Sequence, residues 1–510
     1  MKSIGFKNFR KFTDFPTIEL GGINILVGGN NSGKSTLVKS MLLMRDFLKS
    51  KIQTNSHNIL QTMMPVFDFN IEHVNIGNFK RAFCKSSAEG ENTISFNLGL
   101  NDFIFDVSVS GDRVKDSVPQ VTLIKVEDTS DNVSFIFDYH DNVMTAKFGI
   151  SEQDKEDVKD YEEISSKIKD LRNLLKNTKD LEQISSLKLE IEENENILKT
   201  LDYSSSLSEE TVTISGIKNH IGDNNGTLLI PELLKEFIYY AHEATTGDTK
   251  TIEYNNIEEN KSILRRNSSK IKSIIEKLIR ALLGKEIEYI YAHSVSQQAL
   301  YSIKDSNDYS ARTIHEFFTS KISHGDEEFD FIQKWMTIFE IGKDIEIKPV
   351  LGEAYQVLIT DLDDVQVELA DKGMGSIQMT ILLLRLATLM RKYKGHKLTV
   401  LLEEPEQNLH PALQSKLAGL LYEVNKECRF QFVVETHSEY LVRNTQVIVA
   451  KEFGKQGIIE HNPFNVFYLD NKLGAYQMKY LSNGKFDRDF GTGFFDVADN
   501  ASLELFDLED

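Results

Sequence analysis

The string Gly28-Gly29-Asn30-Asn31-Ser32-Gly33-Lys34-Ser35, followed by Thr36, matches G-x-x-x-x-G-K-[ST] and constrains the fold more than any other feature of the chain. The apolar run Ile23 to Val27 ends on its first glycine, as a buried parallel strand does. Residues 35 to 50 then carry Leu37, Met41, Leu42 and Met44 at helical spacing. Strand, glycine loop and helix in that order predict an α/β core with a phosphate cradle. Glycines let backbone N–H groups wrap a β-phosphate, Lys34 reaches the β/γ oxygens, and the Ser35 hydroxyl faces Mg2+. The residues expected to hold nucleotide are Gly28, Asn30, Asn31, Ser32, Gly33, Lys34, Ser35 and Thr36.

Phosphoryl chemistry also needs one carboxylate for the hydrated cation and another to deprotonate water. The candidates come about 370 residues later, where the apolar strand Leu398 to Leu402 ends in Glu403-Glu404-Pro405-Glu406. Glu403 is assigned to Mg2+ together with Ser35, and Glu404 to the water. A second strand, Phe430 to Glu435, delivers Thr436-His437-Ser438 at its tip, and His437 is the expected γ-phosphate sensor. Asp371 to Gln378 precedes an apolar helix from about Ser376 to Tyr393. Its small residues Gly373, Gly375 and Ser376 would present free N–H groups to an anion. With the first loop already holding phosphates, this second nest would serve the nucleotide of a partner subunit; the alternative is an ordinary glycine-containing helix cap.

The intervening chain changes character several times. Residues 1–92 carry the phosphate loop, and period-two runs from Thr93 to Ile150 predict an antiparallel β-lobe over 93–150. Residues 151–202 lack Gly and Pro and carry a pattern that recurs at alternating spacings of three and four, as Tyr161, Ile164, Ile168, Leu171, Leu175 and then Ile184, Leu187, Ile191, Asn194, Leu198. This predicts a coiled-coil hairpin with arms of about 35 Å, either a solvated helical pair or a projecting interaction arm. Residues 203–345 read as mostly helical, 346–480 as the second half of the core, and 481–510 as an acidic tail.

The chain has 510 residues, and 58 basic against 78 acidic side chains give a net charge of −20. Such a molecule repels a phosphate backbone overall, so any duplex DNA contact needs a local basic patch. The segment 261–285 offers one, with Arg266, Lys270 and Lys277 on a shared face, although such a face is also how a plain solvated helix reads. Only Cys84 and Cys428 occur, and the N-terminus lacks an apolar signal region, so a cytoplasmic location is expected. The most apolar stretch, Thr380 to Met390, is broken by Arg385 and is about half the length of a spanning helix, so no membrane association is expected. No guanine-specificity motif Asn-Lys-x-Asp is present, which leaves ATP as the default nucleotide.

Asn8-Phe9-Arg10, the string Glu403-Glu404-Pro405-Glu406-Gln407-Asn408-Leu409-His410-Pro411 and Glu435-Thr436-His437-Ser438 resemble the ABC-type ATPases of the SMC/RecF and OLD group, closest to the OLD-like branch. Gly491-Thr492-Gly493-Phe494-Phe495-Asp496 is similar to the ending of OLD-like ATPases that lack a nuclease domain. The resemblance implies an α/β ABC-type P-loop ATPase head split by insertions, the β-lobe, the short hairpin and the helical region. It implies a homodimer or higher homo-oligomer whose heads sandwich two ATP molecules with Mg2+. Each site would combine Lys34, Ser35, Glu403, Glu404 and His437 of one head with Gly375 and Ser376 of the other. It further implies a separate effector, a nuclease or toxin, in bacterial anti-phage systems of the Septu type or a related one, with a DNA-clamping ATPase of the SMC/RecF kind as the alternative. The segment Asp371 to Gln378 departs from L-S-G-G-Q, and the nucleotide-sensing glutamine could be Gln53 or Gln61. With 73 residues after His437, and Asp487-Arg488-Asp489 in a glycine-bounded loop, no fused Toprim nuclease is expected.

Overall fold

The structure, a computed structural model, describes residues 1–50, 66–150, 152–178, 181–200, 209–215, 230–243, 251–283, 287–291, 295–305, 307–470, 474–491, 495, 501 and 504. Three strands open the chain: β1 (Ser3–Phe9), β2 (Phe12–Glu19) and β3 (Ile23–Gly28). The chain divides into two compact units, one of Met1–Ile4, Phe15–Arg45 and Leu283–Asp510, the other of Gly5–Asp14 and Asp46–Leu282.

The second unit is organised on a sheet of alternating strands. After the short pair β4 (Asn70–Ile71) and β5 (Val74–Asn75) come β6 (Thr93–Leu100), β7 (Phe103–Ser110), β8 (Gln120–Asp128), β9 (Val133–Asp138), β10 (Val143–Phe148) and β11 (Glu210–Ser215). They lie in the order β11-β10-β9-β8-β7-β6-β1-β2. In β7 the residues Phe103, Phe105, Val107 and Val109 are buried and their neighbours are not, the alternation of a sheet with one covered face. The sequence grouped residues 1–92 with the phosphate loop, whereas Gly5–Asp14 and the chain from Asp46 belong to this second unit. Aromatic packing explains the placement: the Phe9 ring meets Phe6 at 5.5 Å and Phe96 at 5.1 Å. Asn8, within β1, and Arg10, in the turn to β2, have φ 57 and 59, and the Asn8 amide donates to the Thr93 carbonyl.

Two helices, Glu152–Asn177 and Leu181–Thr200, are inserted between the paired strands β10 and β11. They bury Ile168, Leu171 and Ile191 against each other and exchange ion pairs, Lys167 with Glu190 and Arg172 with Glu195.

The first unit contains β12 (Ile287–Ile290), β13 (Tyr301–Ser302), β14 (Asp344–Val350), β15 (Ala354–Thr360), β16 (Gln366–Glu368), β17 (Thr399–Glu403), β18 (Gln431–Glu435), β19 (Phe464–Asp470) and β20 (Gly474–Met478). Its central sheet runs β12-β17-β18-β3-β19-β20, parallel except for the β19–β20 pair. All six residues of β3 are buried, as expected of a strand covered on both faces. This unit resumes at Leu283, ahead of the 346 start read from the sequence, because β12 pairs along the edge of β17. A four-residue strand between helical stretches has no periodicity to announce it.

The helix Met374–Lys392 is buried from Met379 to Met390. Its one buried charge, Arg385, donates to Glu288 of β12 at 2.8 Å and also bonds Glu316. Among the described residues no helix is long and apolar enough to cross a membrane.

Candidate phosphate site at the sheet edge

β3 ends at Gly28 with φ 151, and a Cβ at that position would lie 2.3 Å from the Leu469 carbonyl oxygen. Only glycine lets the chain turn so close to β19. Asn31 (φ 59) and Gly33 (φ 106) complete the turn, and the helix Lys34–Ser50 starts with the Leu37 N–H donating to the Gly33 carbonyl. Gly29, Asn30 and Asn31 are exposed, whereas Ser32, Lys34 and Thr36 are buried. The Lys34 ammonium donates to the carbonyls of Gly28 at 2.9 Å and Gly29 at 3.2 Å, so it lies folded along its own loop. A glycine-rich turn with a buried cation at a helix N-terminus is an arrangement that suits an anion.

β18 lies between β17 and β3, with Glu435 opposite Leu26 on one side and Glu403 on the other. The Ser35 hydroxyl donates to Glu435 Oε1 at 2.8 Å. Glu435 is buried, and its Oε2 has no partner. Burial pushes its carboxyl up to about 7; the charges of Glu403 and Glu404 act in the same direction, against Ser35 and Lys34. Glu403 accepts a hydrogen bond from Tyr289 of β12, whose hydroxyl is held protonated by burial first and by Glu403 second.

Glu404 sits at φ 44, a left-handed conformation that a residue with a Cβ adopts at a cost. Its N–H donates to the Glu435 carbonyl at 2.8 Å, and Gln407 bonds its carboxylate. The His437 Nε2 lies 3.6 Å from Glu404 Oε1. Burial lowers the His437 pKa, the Lys34 charge adds to this, and Glu404 opposes it. Glu406 is buried, its carboxyl raised chiefly by burial, and accepts the His437 N–H at 2.7 Å. Ser438 caps the next helix by accepting from the Leu441 N–H.

These groups span the functions that phosphoryl transfer needs. Lys34 supplies fixed positive charge and Glu404 a carboxylate held by Gln407. Ser35 and Glu403 are hard oxygen donors on either side of Glu435, a pair that suits Mg2+.

Gly373 caps the helix Met374–Lys392 without a side-chain bond and is exposed. Gly375 packs on the acidic loop of the same chain: a Cβ there would be 2.5 Å from the Asn408 carbonyl oxygen. Gln378 donates to the Pro405 carbonyl at 3.4 Å and accepts from Asn408 at 3.2 Å. Gly375 therefore has a packing reason within one subunit, and Ser376, half-buried, accepts through its carbonyl from Thr380.

Away from this edge, the basic segment is largely paired within its own unit. Arg266 bonds Glu210, and Lys277 lies 2.8 Å from Asp131 and 3.7 Å from the buried Asp128. Lys261 and Arg265 donate to the Glu243 and Ala241 carbonyls, and Lys270 is half-buried. Of the expected phosphate-binding face, Arg266 and Lys277 thus already hold carboxylates. Helical spacing places side chains on a face but does not reveal acids brought there by β8 and β11.

Glu435 and Glu406 received no role from the sequence. The available signal for Glu435 was an acid at the last position of an otherwise apolar strand, immediately before Thr436-His437. Gln53, Gln61, Thr492, Gly493, Phe494 and Asp496 lie outside the described residues.

A family model described as an AAA ATPase domain matches residues 1–442. Among solved structures, the chain is similar to the Smc head domain with an extended coiled coil bound to the C-terminal domain of ScpA from Pyrococcus furiosus, at 10% identity, 100% coverage of this chain, 99% of that chain and TM-score 0.32. It is also similar to the Smc head domain with a coiled coil and joint from Pyrococcus yayanosii, at 11% identity, 95% and 97% coverage and TM-score 0.33. No curated protein sequence matches the chain.

Proposed function

The chain belongs to the AAA ATPase domain family, and on that premise we propose that it binds ATP in the Gly28–Thr36 loop and hydrolyses it at the edge formed by β3, β17 and β18. The observation that carries this reading is the Ser35–Glu435 hydrogen bond, which brings the phosphate loop to the acidic strand ends. Lys34 exchanges the Gly28 and Gly29 carbonyls for β/γ-phosphate oxygens. Glu404, oriented by Gln407 and by its backbone bond to Glu435, accepts the proton of the attacking water. His437, anchored through its N–H to Glu406, offers its ring to the γ-phosphate. Mg2+, when bound by Ser35 and Glu403, supplies charge neutralisation on the β/γ-phosphates. Phosphate release from ATP by the purified chain tests this reading, which requires that Lys34→Ala abolish the signal.

The exposed Gly373 and its helix N-terminus support a composite site, in which Gly373, Gly375 and Ser376 of one head meet the nucleotide of another. The ATP-bound homodimer, or a higher homo-oligomer, then regulates a separate effector, a nuclease or toxin, in an anti-phage complex. The OLD-like acidic string Glu403 to Pro411 supports this role. The charge of −20 and the carboxylate partners of Arg266 and Lys277 favour a protein effector over duplex DNA. Assaying a co-encoded nuclease or toxin with the wild type and with Glu404→Gln, in ATP and in ADP, tests it: effector activity must depend on the nucleotide.

A further inference from the structure

The geometry points to Glu435 as the positioning residue that orients the Ser35 hydroxyl for Mg2+, a role that rests on the ATP-site reading above. A serine hydroxyl has one proton and two acceptor lone pairs. To ligate a cation it must present a lone pair, so its proton has to be directed elsewhere. Glu435 Oε1 takes that proton at 2.8 Å.

The acceptor is rigidly placed. Glu435 is 5% exposed and closes a strand that is paired on both sides, with β3 and with β17. Glu403, the carboxylate that the sequence assigned to the cation, stands one strand further from the phosphate loop, because β18 lies between β17 and β3. A second observation points the same way. Glu435 Oε2 is buried with no hydrogen-bond partner, and a buried carboxylate oxygen left unsatisfied is costly. A water on the cation's coordination sphere would satisfy it. Glu435 thus stands behind the metal ligand, where such groups fix ligand orientation and tune affinity.

The test is a Mg2+ titration of binding of a fluorescent ATP analogue to the full chain, with parallel titrations in EDTA. Glu435→Ala should raise the Mg2+ concentration for half-maximal binding by about 10- to 100-fold and leave affinity in EDTA unchanged. Glu435→Gln keeps an acceptor oxygen for the Ser35 proton and should recover much of that shift. A wild-type Mg2+ requirement in Glu435→Ala would overturn the role, as would equal shifts in the Ala and Gln variants, which would assign the effect to charge. An equal loss of affinity in EDTA would assign it to structure instead and overturn it too. Failure of the wild type to bind the analogue under any condition would sink the ATP-site reading itself.

Discussion

The Ser35 hydroxyl meets the Glu435 carboxylate at 2.8 Å across 400 residues of sequence. That bond joins the helix after the phosphate loop to the strand that carries His437, and it passes through β18 to Glu403 and Glu404. The parallel order β17-β18-β3 makes this convergence possible, because adjacent parallel strands present their C-terminal ends on one edge.

Lys34 is the one charged side chain of the loop from Gly28 to Thr36. Lys34→Ala should weaken ATP binding by at least about 100-fold, the cost of losing charge-assisted hydrogen bonds in a buried setting. Isothermal titration calorimetry reads this directly. Wild-type affinity in the variant would place the nucleotide elsewhere.

Glu404 is held in a left-handed conformation beside His437, 3.6 Å away. Glu404→Gln should still bind ATP while kcat falls by about 100- to 10,000-fold, the range for loss of a general base. Normal turnover would remove Glu404 from that role and direct attention to Glu435.

Glu435 gives the free protein a pH signature. Its folded value of about 7 exceeds the ordinary 4.5, so the native chain holds a proton that the unfolded chain releases between these values. The stability this confers is complete below pH 4.5 and is lost as pH rises towards 7. Without metal or nucleotide, the Tm of Glu435→Gln should therefore rise relative to wild type across that window. A pH-independent difference in melting temperature would contradict the assigned environment.

Lys277 lies beside Asp128 and Asp131, so reversing its charge crowds three carboxylates. Lys277→Glu should destabilise the chain by about 1–3 kcal/mol in chemical denaturation. The triple variant Arg266/Lys270/Lys277→Glu should leave the salt dependence of any duplex binding unchanged. A slope of log K against log salt reduced by roughly one per substitution would instead put DNA on this face.

The phosphate loop, its strand and helix, the Glu403–Glu404 strand end and the β-lobe strands were legible because each is local: a motif with its flanks, or a period. β3 extends from Ile23 to Gly28 and β17 from Thr399 to Glu403, within a residue of the expected limits. What was not legible depends on neighbours distant in sequence. β12 is too short to show a period, yet it carries Tyr289 to Glu403 and Glu288 to Arg385. The charge of Arg385 interrupts an apolar helix, and its reason appears only once Glu288 and Glu316 stand beside it. The closeness of Glu435 to the phosphate loop follows from β18 lying between β17 and β3, which no local pattern announces. The basic stripe of segment 261–285 was visible, but its acidic partners on β8 and β11 were not.

A nucleotide site built from two subunits, as proposed above, would pair Lys34 of one with Ser376 of the other. Two inactive variants, Lys34→Ala and Ser376→Arg, test it when their ATP hydrolysis is measured alone and after mixing. In a mixed pair, one site combines an intact Lys34 with an intact Ser376, so the mixture should regain turnover that neither variant shows alone. A mixture as inactive as its components would contradict the shared site.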